Sequence, residues 1–146
     1  MRLEEALPLI EAAFSEGAPF RFFQRGKSML PMLREGIDSV QLVSPSVKAP
    51  KKGDVIFYRR DSGEFILHRI VAASSDGKRF DTCGDNQTIP ERNVKAESVI
   101  GVLEGYYKGE KWVAADDKDY KKYVRAQMLK MKLKYLRYSA IKFLRK

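Results

Sequence analysis

The chain has 146 residues, a length that suits one domain, and its 44% hydrophobic and 32% charged content is ordinary for a soluble globular protein. The single cysteine excludes a disulfide framework and a cysteine-rich zinc site, and the single histidine excludes a multi-histidine metal centre. We therefore expect no metal and no cofactor.

The formal net charge of +9 is concentrated at one end of the chain. Residues 1–117 carry 17 basic and 18 acidic side chains, whereas residues 118–146 carry 11 basic and 1 acidic. The sequence is thus divided into a nearly neutral domain, residues 1–117, and a basic C-terminal extension, residues 118–146. The excess of positive charge therefore belongs to the extension alone.

The predicted elements are short strands between two helices. Apolar residues at helical spacing predict an N-terminal helix over 3–16. A β body over about 20–114 follows, with strands predicted at 20–25, 39–43, 55–58, 65–72, 80–83 and 99–103, and a hairpin that joins 106–107 to 112–113. Residues 120–146 contain neither Gly nor Pro and predict a long basic helix. The fold class is therefore mainly β.

The N-terminal segment does not predict export. Glu4, Glu5 and Glu11 interrupt any apolar region of a secretory signal, and no window approaches the 18 apolar residues of a membrane span. We expect a cytoplasmic protein, with peripheral attachment to a membrane left open.

Ser28 lies in the first of three segments that could carry chemistry, Gly-Lys-Ser-Met-Leu-Pro-Met-Leu over 26–33. In the structural interpretation, Ser28 caps a helix and Gly26 makes a turn. In the functional interpretation, Ser28 is a nucleophile at a helix start, where its backbone N–H and the helix dipole face a developing oxyanion.

The second segment is Ile-Leu-His-Arg-Ile-Val over 66–71, an apolar strand that contains the only histidine, His68. A lone histidine in a strand is commonly structural. An imidazole is also the best general base near neutral pH, and a serine hydroxyl needs such a base within hydrogen-bond reach.

The third segment, Thr-Cys-Gly-Asp-Asn over 82–86, is a turn sequence in the structural interpretation. In the functional one, Asp85 holds the tautomer of His68 and stabilises its charged form. Cys83 fits a small buried residue, and a pair between Cys83 and His68 is a weaker alternative.

In combination, four motifs resemble the signal peptidase I family of serine peptidases. They are Gly-x-Ser-Met-x-Pro-x-Leu at 26–33, Gly-Asp-Val-Ile at 53–56, His-Arg-Ile-Val at 68–71 and Gly-Asp-Asn at 84–86. The resemblance covers about residues 20–103 and ends near Ile100-Gly101. A histidine in place of the usual bacterial lysine is similar to the branch found in archaea, the endoplasmic reticulum and some spore-forming bacteria. The related LexA-type self-cleaving peptidases use lysine.

The resemblance implies a mixed β-ribbon body of the LexA and signal peptidase type and a role for each matching residue. Ser28 would form the acyl-enzyme and donate its backbone N–H to the oxyanion, His68 would be the general base, and Asp85 its acidic partner. The residues that would shape the site near the nucleophile are Gly26, Met29 and Pro31.

The chain also departs from that family. Signal peptidases have a membrane anchor before the serine and act outside the cytoplasm, whereas here a short helix precedes Ser28. Their second acid corresponds to Glu91, which has a longer reach than aspartate, and Gly26 offers no hydroxyl to an oxyanion. We expect a serine endopeptidase that cleaves a leader peptide or protein in the cytoplasm. The alternative is a catalytically silent member of the fold that binds a peptide or docks at a membrane.

The helix predicted over 120–146 has two apolar faces. One contains Val124, Met128, Met131, Tyr135 and Tyr138, and the other contains Leu129, Leu133, Leu136, Ala140 and Phe143. One face is expected to pack on the β body. The other is then either part of an ordinary terminal helix or free for a membrane surface, a partner protein or a second copy. No specific nucleic acid is expected, because no recognised binding module accompanies the charge.

Overall fold

A computed structural model of the chain describes residues 3–145 and shows a mainly β body with a helix at each end, as predicted. The helices are α1 (Leu3–Ser15) and α2 (Lys118–Leu144). The strands are β1 (Phe20–Phe23), β2 (Ser39–Val43), β3 (Val55–Arg59), β4 (Phe65–Ala73), β5 (Arg79–Cys83), β6 (Glu91–Lys95), β7 (Val99–Lys108) and β8 (Lys111–Ala114).

The strands form one antiparallel sheet in the order β1-β2-β7-β3-β4-β5-β6, with β8 paired to β7. Apart from shifts of one or two residues at strand ends, such as the end of β1 at Phe23 instead of residue 25, two strands differ from prediction. The sequence analysis missed β6, because only Val94 of its five residues is buried and no alternation is visible. It also divided β7 in two, whereas the strand continues through a bulge at Glu104, where Leu42 pairs with Leu103 and Gln41 with Gly105.

The middle of the sheet is buried on both faces, which explains the unbroken apolar run in β3. Val55 and Phe57 belong to one hydrophobic cluster, whereas Ile56 and Tyr58 belong to another. Successive side chains of a strand point to opposite faces, so the two clusters cover the two sides of the sheet. Helix α1 joins the first cluster through the buried side chains of Ala6 and Ile10.

Helix α2 packs along the body over its first half. Asp117 caps it by accepting a hydrogen bond from the backbone N–H of Tyr120, and the buried side chains on it are Tyr120, Gln127 and Met131. The long basic helix is thus confirmed, although Lys146, its predicted last residue, lies outside the described residues. Over residues 3–145, no helix is both long and apolar enough to cross a membrane.

Candidate active site

Ser28 lies in the loop between β1 and β2 and is half-buried. The expectation that it starts a helix is wrong, because residues 28–32 form successive turns. Pro31 has no N–H to give to a helix, and proline disfavours helical backbone in the residue before it. A helix dipole is therefore not available at Ser28. Neither its Oγ nor its backbone N–H hydrogen-bonds to another residue within 3–145.

The motif residues around Ser28 anchor its loop. Met29 is completely buried in the hydrophobic core, and the backbone oxygen of Pro31 accepts a hydrogen bond from Lys108 Nζ at 2.9 Å. Gly26 is exposed and has a φ of 79°, a backbone conformation that favours glycine. These three residues do not line the cavity that Ser28 borders.

The Gly-Asp-Asn turn packs directly against the Ser28 loop. The backbone N–H of Asn86 donates to the carbonyl of Ser28 at 2.8 Å, and its side-chain amide donates to the carbonyl of Lys27 at 3.1 Å. A Cβ on Gly84 would lie 2.5 Å from the Ser28 oxygen, so no larger residue fits without movement of the loop. The first and third motifs are thus brought together.

Ser28 and His68 line the same cavity, whose volume is about 170 Å³. It opens between the end of β1, the Ser28 loop and strands β3 and β4. The other side chains around it are Phe22, Phe23, Gln24, Arg25, Phe57, Phe65, Ile66 and Leu67. The proposed nucleophile and the proposed base therefore share a small cavity with a largely aromatic and aliphatic wall.

His68 is buried, with 6% of its surface exposed. Burial lowers the pKa of His68 to about 4, helped by the positive charge of Arg60 and opposed by the carboxylates of Glu91 and Asp85. The imidazole is therefore neutral at pH 7. Its Nδ1 is buried and has no hydrogen-bond partner among residues 3–145.

Asp85 does not hold His68. Its carboxylate accepts two hydrogen bonds of 2.8 Å from the Nε and Nη2 of Arg69, and no hydrogen bond joins it to His68. Alternation along β4 explains the difference from expectation, because His68 and Arg69 are neighbours and point to opposite faces of the sheet. The carboxylate lies with Arg69, so it affects His68 only through its charge.

The buried Arg69 connects four parts of the chain. Besides Asp85, its guanidinium donates to the carbonyl of Gly53 at 2.8 Å, to the hydroxyl of Tyr120 at 3.2 Å and to the sulfur of Met32 at 3.2 Å. Burial by itself would lower the pKa of Arg69, but the hydrogen bonds to Asp85 raise it overall. The guanidinium is thus a buried group that stays charged, and it donates hydrogen bonds to all four of these partners.

Helix α2 takes part in the scaffold of the site. The hydroxyl of Tyr123 donates to the Asp85 carboxylate at 2.8 Å, and the side-chain amide of Gln127 donates to the Asp85 carbonyl at 2.6 Å. Asn86 in turn donates a hydrogen bond to the carbonyl of Ser28. The contacts that connect α2 to the Ser28 loop therefore pass through two adjacent residues, Asp85 and Asn86. The sequence analysis treated this helix as an extension of the body and missed these contacts.

Glu91, the proposed second acid, belongs to a separate network on the His68 side of the sheet. It accepts hydrogen bonds from the hydroxyl of Tyr58 at 2.7 Å and from Arg60 Nε at 3.0 Å. Tyr58 and His68 share a face, because Ile56 pairs with His68 and lies two residues before Tyr58. Glu91 therefore raises the pKa of His68 through its charge without a hydrogen bond to it.

Cys83 is a buried structural thiol, as its sequence context suggested. Burial raises its pKa to about 11, so it is protonated at neutral pH. It pairs with Arg69 across the β4–β5 ladder, and directly paired residues share a face, so it lies on the side away from His68. The alternative Cys83–His68 pair is not formed.

Sequence analysis missed Arg69, Tyr123 and Gln127. An available indication was the position of Arg69 itself, a charged residue inside the apolar segment 66–71. A strand buried on both faces forces such a residue to find a carboxylate. Nothing in the sequence indicates that α2 supplies further partners to the same carboxylate.

Comparison with models of known protein families and with curated proteins found no match to this chain.

Removal of the Asp85 carboxylate tests its structural role. We expect Asp85→Ala to lower the free energy of unfolding by about 3–5 kcal/mol, because Arg69 is left as an unpaired buried charge. Ser28→Ala, the control within the same site, removes no hydrogen bond and is expected to change it by less than about 1 kcal/mol. Urea unfolding measures both. Equal stability of the Asp85 variant and the unmodified protein would contradict the assigned role.

Proposed function

We propose that this protein is a serine endopeptidase that cleaves a peptide or a protein leader through an acyl-enzyme on Ser28, with His68 as general base. The observation that carries the proposal is that Ser28 and His68 line one cavity while His68 is neutral at pH 7. A neutral imidazole can accept the serine proton, whereas a surface histidine of ordinary pKa would be partly protonated.

The proposed reaction has two stages. A ring nitrogen of His68 takes the proton of Ser28 Oγ as the oxygen attacks the scissile carbonyl carbon, and the C–N bond then breaks as the imidazolium returns that proton to the leaving amine. In the second stage His68 takes a proton from a water molecule as the water oxygen attacks the ester carbonyl carbon. The C–O bond to Ser28 then breaks, and the imidazolium returns the proton to Ser28 Oγ, which restores the free enzyme.

The backbone N–H of Ser28 is the proposed oxyanion donor. It makes no hydrogen bond to other residues within 3–145, so it can donate to the developing negative charge without breaking an existing contact. The turns that follow Ser28, anchored by the buried Met29, hold this group without the helix that the sequence analysis expected.

Two carboxylates stabilise the imidazolium form that appears during the reaction. The charges of Glu91 and Asp85 favour protonated His68, while burial and Arg60 oppose it. Asp85 acts at a distance through its fixed position on Arg69, so we describe it as a positioning and electrostatic residue rather than a catalytic one. Glu91 has the same electrostatic role from the other face of the sheet.

The cavity favours a peptide substrate over a small organic ligand. Its volume of about 170 Å³ is below the range of about 300–1,000 Å³ that is usual for small-molecule sites, and it suits one or two side chains of an extended chain. Four phenylalanines in the wall, Phe22, Phe23, Phe57 and Phe65, favour an apolar side chain. The resemblance to signal peptidase motifs is consistent with this substrate class.

A catalytically silent, peptide-binding role is the second candidate. It is favoured by the buried Nδ1 of His68, which lacks the carboxylate that orients the imidazole in a Ser-His-Asp triad.

Covalent labelling distinguishes the two roles. An activated ester should add one acyl group to the protein, found at Ser28 by intact-mass and peptide mass spectrometry. We expect acylation of the protein to be lost in Ser28→Ala and to be at least about 10³-fold slower in His68→Ala, because the serine loses its base. Ser62→Ala, which changes an exposed serine of the β3–β4 hairpin, should label as the unmodified protein does. Labelling that persists in Ser28→Ala would favour the silent role.

The depressed pKa of His68 predicts the acidic limb of the pH profile. Because the base must be neutral, the labelling rate should fall as the pH drops through the pKa of about 4, and remain constant between pH 5.5 and 7. Arg60→Gln removes a positive charge that lowers this pKa, so its limb should move towards 6.5. A limb near 6.5 in the unmodified protein would contradict His68 as the buried base; circular dichroism at each pH confirms folding.

A further inference from the structure

The outer side of α2 carries a continuous row of exposed apolar side chains. We define this apolar stripe as Leu129, Leu133, Leu136, Ala140, Phe143 and Leu144, all of which are exposed. At about 100° of rotation per residue, the six positions fall within an arc of about 100°. Phe143 and Leu144 are 76% and 81% exposed, close to the values of fully solvated side chains.

The apolar stripe lies on the side of α2 opposite its buried residues, and only Leu129 and Leu136 of the stripe also border the open cleft between α2 and the β body. The buried residues of α2, Tyr120, Gln127 and Met131, lie about 180° around the helix from Leu129. Over residues 136–145 only Ser139 is not exposed, so the last turns of α2 have no contact that covers them. The body therefore leaves every member of this stripe exposed, and a contiguous exposed apolar surface of this kind marks an interaction site.

Basic side chains flank the apolar stripe on both sides. Lys132 lies on one side of it, Lys130 and Arg137 lie on the other, and all three are exposed. Over 118–146 there are 11 basic residues and one acidic residue, Asp119, which lies in the first turn. The surface is thus an apolar stripe between two positive borders, with no negative charge on α2 itself after the first turn.

We propose that α2 docks this protein on an anionic lipid surface, with the apolar stripe inserted among the acyl chains and the flanking lysines and arginines at the lipid phosphates. A helix with an apolar arc and cationic borders lies in the plane of the membrane interface, and each basic residue near an anionic surface strengthens the attachment. A lipid surface can cover the exposed last turns of α2 without a groove of matching shape.

Charge and chemistry favour lipid over two other occupants. A second copy would bring two strongly positive helices together without any acidic residue along the stripe to offset their repulsion. A nucleic acid would neutralise the basic borders but leave the leucines and Phe143 in water. An anionic bilayer satisfies the charged and the apolar groups together.

This attachment does not depend on the proposed peptidase activity. The opposite side of the same helix holds Asp85 through Tyr123 and Gln127, so the candidate active site would be carried at the membrane surface. A peptide or protein cleaved there would be one that is itself close to that membrane surface.

Vesicle co-sedimentation of the full chain tests the proposal. We expect binding to mixed phosphatidylserine–phosphatidylcholine vesicles and little binding to pure phosphatidylcholine vesicles. Leu133→Ser/Leu136→Ser should weaken binding at least about tenfold, because two apolar side chains no longer leave water. Lys130→Gln/Arg137→Gln should weaken it to a similar degree, as should high salt.

The matched control is Leu9→Ser/Val47→Ser, which removes two exposed apolar side chains elsewhere, 49% and 70% exposed. It should bind as the unmodified protein does, and circular dichroism verifies that every variant is folded. Equal binding of the Leu133/Leu136 variant and the unmodified protein would overturn the proposal, as would absence of binding to anionic vesicles. A dimer that the leucine substitutions dissociate, or duplex DNA binding without vesicle binding, would also overturn it and assign the surface to that occupant.

Discussion

The buried ion pair between Arg69 and Asp85 is the interaction on which the arrangement of the site depends. A guanidinium with no exposed surface needs a partner for each donor, and Arg69 finds them on the Gly-Asp-Asn turn after β5, the turn before β3, the Ser28 loop and α2. The same pair fixes the Gly-Asp-Asn turn, which holds the Ser28 loop through Asn86. Because an unpaired buried charge costs several kcal/mol, these four segments are constrained to meet.

Residues that are neighbours in the sequence, such as His68 and Arg69, lie on opposite faces of the sheet and belong to two separate polar groups. Arg69, Asp85 and Cys83 lie on the α2 side, whereas His68, Tyr58 and Glu91 are associated with the other. His68 is therefore affected by both carboxylates through space but hydrogen-bonds to neither. The low pKa of His68 follows first from burial, which is a property of the strand position, and then from the positive charge of Arg60.

Helix α2 has an inner side that packs on the β body and an outer side that is exposed to solvent. Its inner side completes the scaffold through Tyr120, Tyr123 and Gln127, so it is an integral part of the body. Its outer side carries exposed apolar side chains with basic residues beside them. The two apolar faces inferred from spacing are both present, but only their contacts show that one is a structural surface and the other is open to solvent.

Sequence by itself determined the helices and most strands, because hydrophobic periodicity and turn residues are local and are read directly from 3–16, 39–43 and 65–72. It also grouped Ser28, His68 and the Gly-Asp-Asn turn as a candidate site. Only the tertiary structure decided which charges pair. The partner of Asp85 depends on the face to which each β4 residue points, and on a helix more than thirty residues later, as the Tyr123 contact shows. Such long-range choices follow from burial and alternation across the whole sheet, and no local pattern encodes them.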